Sequence, residues 1–277
     1  MKRLISLCAL VLLCPALLAA APLRVYVTIL PQQYFVRQIA GDLASVGVLV
    51  PPGAEPHSFE PRPRQMAELA KARLYFTIGV GSEQVWLRRI RETNPGLRTV
   101  ATDAGIRKIA MVAGHENGLD PHIWLSPRLV RLQAANIAAG LIAADPTHAA
   151  VYRANLKRFT AKLDGLDRQL GQILKDRPSF MTFHPAWGYF ARDYGLRQLV
   201  VEVEGKEPKP AQLQQLIMQA RRAQIGVVLV EPQFSDRAAR IIASEVGAQV
   251  RPADDLSADW AANLVRVAQV IANGARP

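Results

Sequence analysis

The sequence predicts an α/β protein of two lobes with mainly parallel sheets, joined by one long rigid backbone helix. Two observations carry that fold. From Leu23 onward, short apolar runs alternate with amphipathic segments, and a single uninterrupted helical pattern divides the alternation into two halves. Strands alternating with helices imply parallel sheets, because parallel neighbours need a crossover connection. A third observation bears on chemistry. Of five histidines, His57, His122 and His184 stand in proline-flanked loops, spaced 65 and 62 residues apart. No single helix or finger could gather residues so far apart; only a fold could.

In the first half, Arg24–Leu30 reads as a buried strand and Pro31 to Ile39 as a helix opened by its proline. Ser45–Val50 is a strand, Pro63–Lys71 a helix, and Arg73–Ile78 a strand ending at Gly79. Glu83–Glu92 is helical, and Ser126–Ala144 is a longer helix with Ser126 as cap and Pro127 in its first turn. The second half repeats the alternation: strands over Ser179–Phe183, Leu196–Glu202, Gly226–Val230 and Ala248–Arg251, and helices over Trp187–Tyr194, Pro210–Ala223, Asp236–Val246 and from Ala258 onward. No convincing sequence repeat relates the halves.

Between them runs the clearest helix. Asp145 caps it, Pro146 starts it, and Leu156, Phe159, Leu163, Leu166, Leu170 and Ile173 recur at steps of three and four, forming one apolar stripe. From Pro146 to Asp176 it would span roughly 45 Å at 1.5 Å per residue. The expected organisation is therefore residues 1–21 as a signal segment, 22–145 as the first lobe, 146–176 as the linking helix and 177–277 as the second lobe.

The amino terminus has the layout of a cleavable secretory signal. Lys2 and Arg3 precede the apolar stretch Leu4–Leu13, and Ala19-Ala20-Ala21 offers a small-residue cleavage zone. About ten apolar residues are too few to span a bilayer. Both cysteines, Cys8 and Cys14, fall inside this segment. Leu13 is a poor match to the small residue that precedes a lipidated cysteine, which favours a soluble exported product. Its metal site, if any, must then use nitrogen and oxygen alone. Loss of Lys2 and Arg3 takes the formal charge from +11 to +9. The basic residues are scattered, without a long run or an aromatic platform, so the charge reads as a solvated surface and nucleic acid is not expected as a partner.

His57 follows one predicted strand and His184 directly follows another, and in open α/β sheets the crevice beyond the carboxyl ends of strands is where ligands bind. Pro56, Pro121 and Pro185 restrict the backbone beside each histidine. Three neutral imidazoles would suit zinc or a neighbouring transition metal, and one hard ligand would complete a tetrahedron. Asp254, just past the strand Ala248–Arg251, is the first choice; Asp255 and Glu55 compete with it. His115 and His148 read as ordinary loop and helix-turn histidines. Glu231, at a strand end, could accept from a ligating imidazole, cap the helix near Asp236 or pair at the surface. Trp124 and Trp187 read as packing residues at the lobe interface.

The segments Pro-Gly-Ala-Glu-Pro-His-Ser-Phe-Glu-Pro (52–61), Asp-Pro-His-Ile-Trp-Leu-Ser-Pro (120–127), Thr-Phe-His-Pro-Ala-Trp-Gly-Tyr-Phe (182–190), Glu-Gly-Lys-Glu-Pro-Lys-Pro (204–210) and Val-Glu-Pro-Gln-Phe-Ser (230–235) resemble, in order, those of the zinc/manganese-type periplasmic solute-binding proteins of bacterial metal ABC importers. The resemblance implies one metal at the interface of two lobes, held by His57, His122, His184 and a carboxylate from Asp254-Asp255-Leu256. It also implies a periplasmic, non-enzymatic receptor, expected as a monomer, whose partner is an inner-membrane ABC permease. Relatives tuned to manganese commonly have glutamate where this chain has His184, so Zn(II) is the expected cargo, with Mn(II) the alternative. The loop Val112–Leu119 is short and holds only His115 and Glu116, unlike the long histidine-rich loop of many zinc members. Readings from other classes are a secreted zinc hydrolase, for which no His-Glu-x-x-His is present, and a metal-binding surface adhesin.

Overall fold

The computed structural model describes residues 21–111, 118–176, 179–203 and 205–274. Residues 1–20, most of the segment expected to be a signal, and His115 with Glu116 lie outside the described residues. The first lobe comprises β1 (Leu23–Val27), α1 (Leu30–Ala40), β2 (Ala44–Val48), α2 (Pro63–Leu69), β3 (Leu74–Thr77), α3 (Glu83–Thr93) and β4 (Arg98–Ala101). Every pairing is parallel, and the strand order is β2-β1-β3-β4. α4 (Pro127–Ala144) and α5 (Ala149–Ile173) follow. The second lobe comprises β5 (Ser179–Thr182), α6 (Gly188–Tyr194), β6 (Arg197–Val200), α7 (Pro210–Arg222), β7 (Val227–Val230), α8 (Arg237–Val246), β8 (Gln249–Pro252) and α9 (Trp260–Asn273). Its parallel order, β6-β5-β7-β8, reproduces that of the first sheet. The halves thus repeat in topology although not in sequence.

β4 is the one strand absent from the sequence-based expectation. It is a four-residue edge strand with Arg98 and Ala101 exposed, too short and too open to show an apolar run. α4 follows its expected signals: Ser126 Oγ accepts from the Leu129 N–H at 3.1 Å, and Pro127 occupies the first turn. The linking helix α5 begins later than its proline suggests. Residues Pro146–His148 form a separate 3₁₀ turn, in which Asp145 accepts from His148 Nδ1 (2.6 Å) and from the Tyr152 hydroxyl (2.7 Å). The 25 residues of α5 give a rod of roughly 37 Å.

α5 is held on several sides. Phe159, Leu163, Leu166 and Leu170 are buried as the stripe predicts. Arg128 and Arg131 of α4 pair with Asp167 and Asp164. Asn155 donates to the Ile39 carbonyl of the first lobe at 2.8 Å, and Tyr194 of the second lobe donates to Asp167 at 2.9 Å. One continuous apolar core runs from Val25 and Val27 through α5 to Phe180, Leu229 and α9. At about 1.5–3 kcal/mol per fully buried large apolar side chain, this shared core ties both lobes to the helix. α9 belongs to the second lobe in sequence, yet its Trp260 meets Phe35 of the first lobe edge-to-face at 5.0 Å. Two smaller clusters cover the outer faces of the sheets. Among the described residues, no helix is long and apolar enough to cross a membrane.

Candidate metal centre

The three histidines reach one point from three loops. His57 lies in the loop between β2 and α2. His122 opens the 3₁₀ turn Ile123–Leu125 that precedes α4, and His184 opens the turn Pro185–Trp187 between β5 and α6. Their Nε2 atoms converge: His57 to His122 is 3.2 Å, and His184 to His122 is 3.2 Å. One ligand atom from each lies within 4.8 Å of the other two. His122 and His184 are buried, while 31% of the His57 side chain is exposed, so the cluster opens to solvent on the His57 side.

Each loop is tied by a carboxylate. Glu55 accepts the His57 N–H at 2.8 Å and Asp120 accepts the His122 N–H at 2.8 Å, so in both cases the acid stands two residues before its histidine. Asp120 Oδ1 also lies 2.7 Å from His122 Nδ1, and Glu202 Oε1 lies 3.2 Å from His184 Nδ1. An ionised carboxylate can only accept, so Nδ1 carries the hydrogen in both rings and Nε2 presents its lone pair to the centre. Burial alone would push His184 down, but the hydrogen bond and charge of Glu202 outweigh it and raise the imidazole from its ordinary value.

The Asp254-Asp255 pair divides its work. Asp254 is half-buried, its Oδ1 accepts the Leu256 N–H at 2.9 Å, and its carbonyl accepts from Asn263 Nδ2 at 2.7 Å. Asp255 is buried and lines the small cavity bounded by His57, His122, His184 and Glu55; Asp254 is not among the residues lining that cavity. Burial raises the Asp255 carboxyl, and the nearby His184 and His122 pull it partly back. The Asp255 carbonyl accepts from Trp124 Nε1 at 2.8 Å, which anchors this loop to the first lobe.

Glu231 is neither a helix cap nor a surface ion pair. It is fully buried, accepts the His184 N–H at 3.2 Å, and is held well above the usual carboxylate range by burial and by Asp255. Phe234 stacks on the His184 ring at 5.1 Å and lines both the small cavity and a neighbouring one of about 510 Å³ that Glu55, Ser58, Met111 and Glu202 help to line. Trp124 and Trp187 are both fully buried. Sequence reasoning missed Asp120 and Glu202. The first had a signal, the acid two residues before its histidine; the second had none, because β6 brings it to His184 across the sheet.

The family profile described as "Zinc-uptake complex component A periplasmic" matches residues 25–274. The high-affinity zinc uptake system protein ZnuA of Bacillus subtilis is 31% identical over 245 residues, covering 82% of this chain and 76% of its own length. The iron-binding protein YfeA of Yersinia pestis is 31% identical over 237 residues, covering 83% and 76%. A solved ZnuA deletion mutant with zinc bound superposes with a TM-score of 0.87 at 45% identity, covering 92% of this chain and all of the other. Sequence, fold and histidine cluster agree: the chain belongs to the zinc-uptake component A family, the metal-binding, non-enzymatic solute receptors of bacterial ABC importers.

Proposed function

We propose that this chain is a periplasmic receptor that captures Zn(II) and delivers it to an inner-membrane ABC permease, with His57, His122, His184 and Asp255 as ligands. One observation carries the reading: three Nε2 atoms, two of them on rings whose Nδ1 is turned to a carboxylate, stand 3.2 Å apart in two of their pairs. Unprotonated lone pairs that close repel one another unless a cation sits among them. A tetrahedral ion with metal–nitrogen bonds of about 2.0–2.1 Å separates its donors by roughly 3.3 Å, close to the spacing found.

Three imidazoles and one carboxylate suit Zn(II), whereas Mn(II) asks for more oxygen. Asp255 is preferred to Asp254 because Asp254 is committed to its own loop, while Asp255 faces two imidazoles in the same cavity. Glu55 Oε1 is 3.9 Å from His57 Nε2 on the exposed side, but both Glu55 oxygens already accept backbone N–H groups, of His57 and Ser58, so Asp255 is preferred to it as well. Export by cleavage near Ala21, and a monomeric mature chain, complete the proposal. Capture needs no covalent chemistry. Neutral imidazoles and the carboxylate replace the hydration shell of the ion, and protons are released as it binds.

The test is metal analysis and competition titration of the mature protein with Zn(II), Mn(II), Fe(II) and Cu(II); iron is included because one relative is named for it. One tightly held Zn(II) per chain, lost in His184→Ala and weakened more by Asp255→Ala than by Asp254→Ala, is the expected outcome. Preference for Mn(II) or Fe(II) overturns the choice of cargo, and no stoichiometric binding overturns the site.

A further inference from the structure

The loop that presents His122 belongs to the first lobe, but its support comes from the second. The Tyr189 hydroxyl, on α6, donates to the Asp120 carbonyl at 2.7 Å and accepts the Ile109 N–H at 3.1 Å. Ile109 and Asp120 form the base of a short antiparallel stem: the Asp120 N–H donates to the Ile109 carbonyl at 2.8 Å, and Ala110 bridges Leu119. The phenol therefore closes the stem across the lobe boundary. Burial pushes Tyr189 up to about 12, so it stays a donor at working pH.

The residue beside it fits the same loop. A Cβ on Gly188 would stand 2.8 Å from Asp120 Oδ2, so only glycine lets α6 approach the buried carboxylate this closely. Asp120 has its other oxygen on both the N–H and Nδ1 of His122. A displacement of Asp120 is thus a rotation of the His122 imidazole.

We propose that Tyr189, with Gly188 beside it, is a positioning residue for metal capture: from the second lobe it fixes Asp120, and through Asp120 it aims His122 Nε2 at the point where His57 and His184 converge. This rests on the ligand set proposed above. It also means that the two lobes meet around a metal loop ordered before the ion arrives, so that less ordering is left to accompany binding.

The experiment compares Tyr189→Phe with Tyr194→Phe. Both lie on α6; Tyr189→Phe removes the bonds to Asp120 and from Ile109, whereas Tyr194→Phe removes a bond to Asp167 of the linking helix rather than to the metal loop. Zinc dissociation is followed by transfer to a chromophoric chelator, and the visible bands of the Co(II)-substituted protein report ligand geometry. The expected result is about tenfold faster zinc release and altered Co(II) bands in Tyr189→Phe, in the range that supporting partners of metal ligands command. Tyr194→Phe should match wild type in both. Gly188→Ala should act in the same direction as Tyr189→Phe. Wild-type release and spectra in Tyr189→Phe and Gly188→Ala, or equal effects in Tyr194→Phe, would overturn the positioning role while the receptor reading stands. A wild-type chain that holds no metal, with His184→Ala indistinguishable from it, would overturn both.

Discussion

In the first lobe the crevice between β1 and β3 is filled by polar side chains that satisfy one another. The second lobe uses the matching crevice, between β5 and β7, for His184 and Glu231. Thr28 at the end of β1 bonds to Tyr75 and Glu83; Gln32 accepts the Thr28 N–H at 3.0 Å and donates to the Phe76 carbonyl; Glu83 accepts from the Ile78 and Gly79 N–H groups at 2.8 and 2.7 Å. This plug leaves no ligand position, and the first lobe presents its histidines from the β2–α2 loop and from the loop before α4 instead. Both crevices lie at the topological switch point, where open parallel sheets place ligands. One topology therefore offers the same opening twice, and local side-chain chemistry decides which one becomes a site.

The comparison breaks most visibly at His184. His184→Ala removes the second lobe's imidazole and should weaken zinc on the order of a hundredfold or more, since a site of four ligands commands roughly 10–16 kcal/mol in total; competition with a chelator of known affinity measures it. Loss of less than a few-fold would mean that the second lobe does not bind the ion.

Next is the plug. Burial raises Glu83 from 4.5 to about 7, against the opposing pull of the Thr28, Ile78 and Gly79 hydrogen bonds. Between those two values the folded state holds a proton that the unfolded state has lost, so stability declines as pH rises through this window and levels off above it. Glu83→Gln should flatten that decline, a change of about 3 kcal/mol across the window, with zinc affinity altered only a few-fold. Urea unfolding of the metal-free protein from pH 4.5 to 8 checks the slope.

The second lobe should respond in the opposite sense. Glu202→Gln removes the partner that raises His184, so the pH at which zinc binding is half lost should move down. Affinity near neutral pH should fall about 10–100-fold as His184 loses its orienting acceptor. Calorimetric titration at several pH values separates the two effects.

The smallest expected effect is at Asp254. Asp254→Ala removes the bond to the Leu256 N–H and should cost about 1 kcal/mol of stability, with zinc affinity lowered far less than in Asp255→Ala. A larger loss of zinc at Asp254 would return the carboxylate to the residue that motif register favours.

Much of the fold was legible because its signals are local. The stripe from Phe159 to Leu170 and the Ser126-Pro127 start of α4 are set by side-chain periodicity and by capping within one turn. The exception, β4, depends on pairing with β3 and carries little pattern of its own. The histidines were legible as a set because three of five occupied similar proline-flanked loops. The carboxylate register was not: Asp254 and Asp255 are adjacent and chemically alike, and the fold separates them by turning Asp254 to the Leu256 N–H and burying Asp255 in the histidine cavity.

Element order, the linking helix and the donor types available for a metal follow from composition and spacing along the chain, and so could be read before the fold was known. Tertiary structure decided which groups meet. Glu202 reaches His184 only because β6 pairs with β5, Tyr189 supports Asp120 only because α6 lies against the first lobe, and the equivalent crevice of that lobe is closed by residues from β1, α1, β3 and α3. Contacts made across a sheet or a lobe boundary leave no periodic trace in sequence, since each depends on two distant segments and on the core that holds them together.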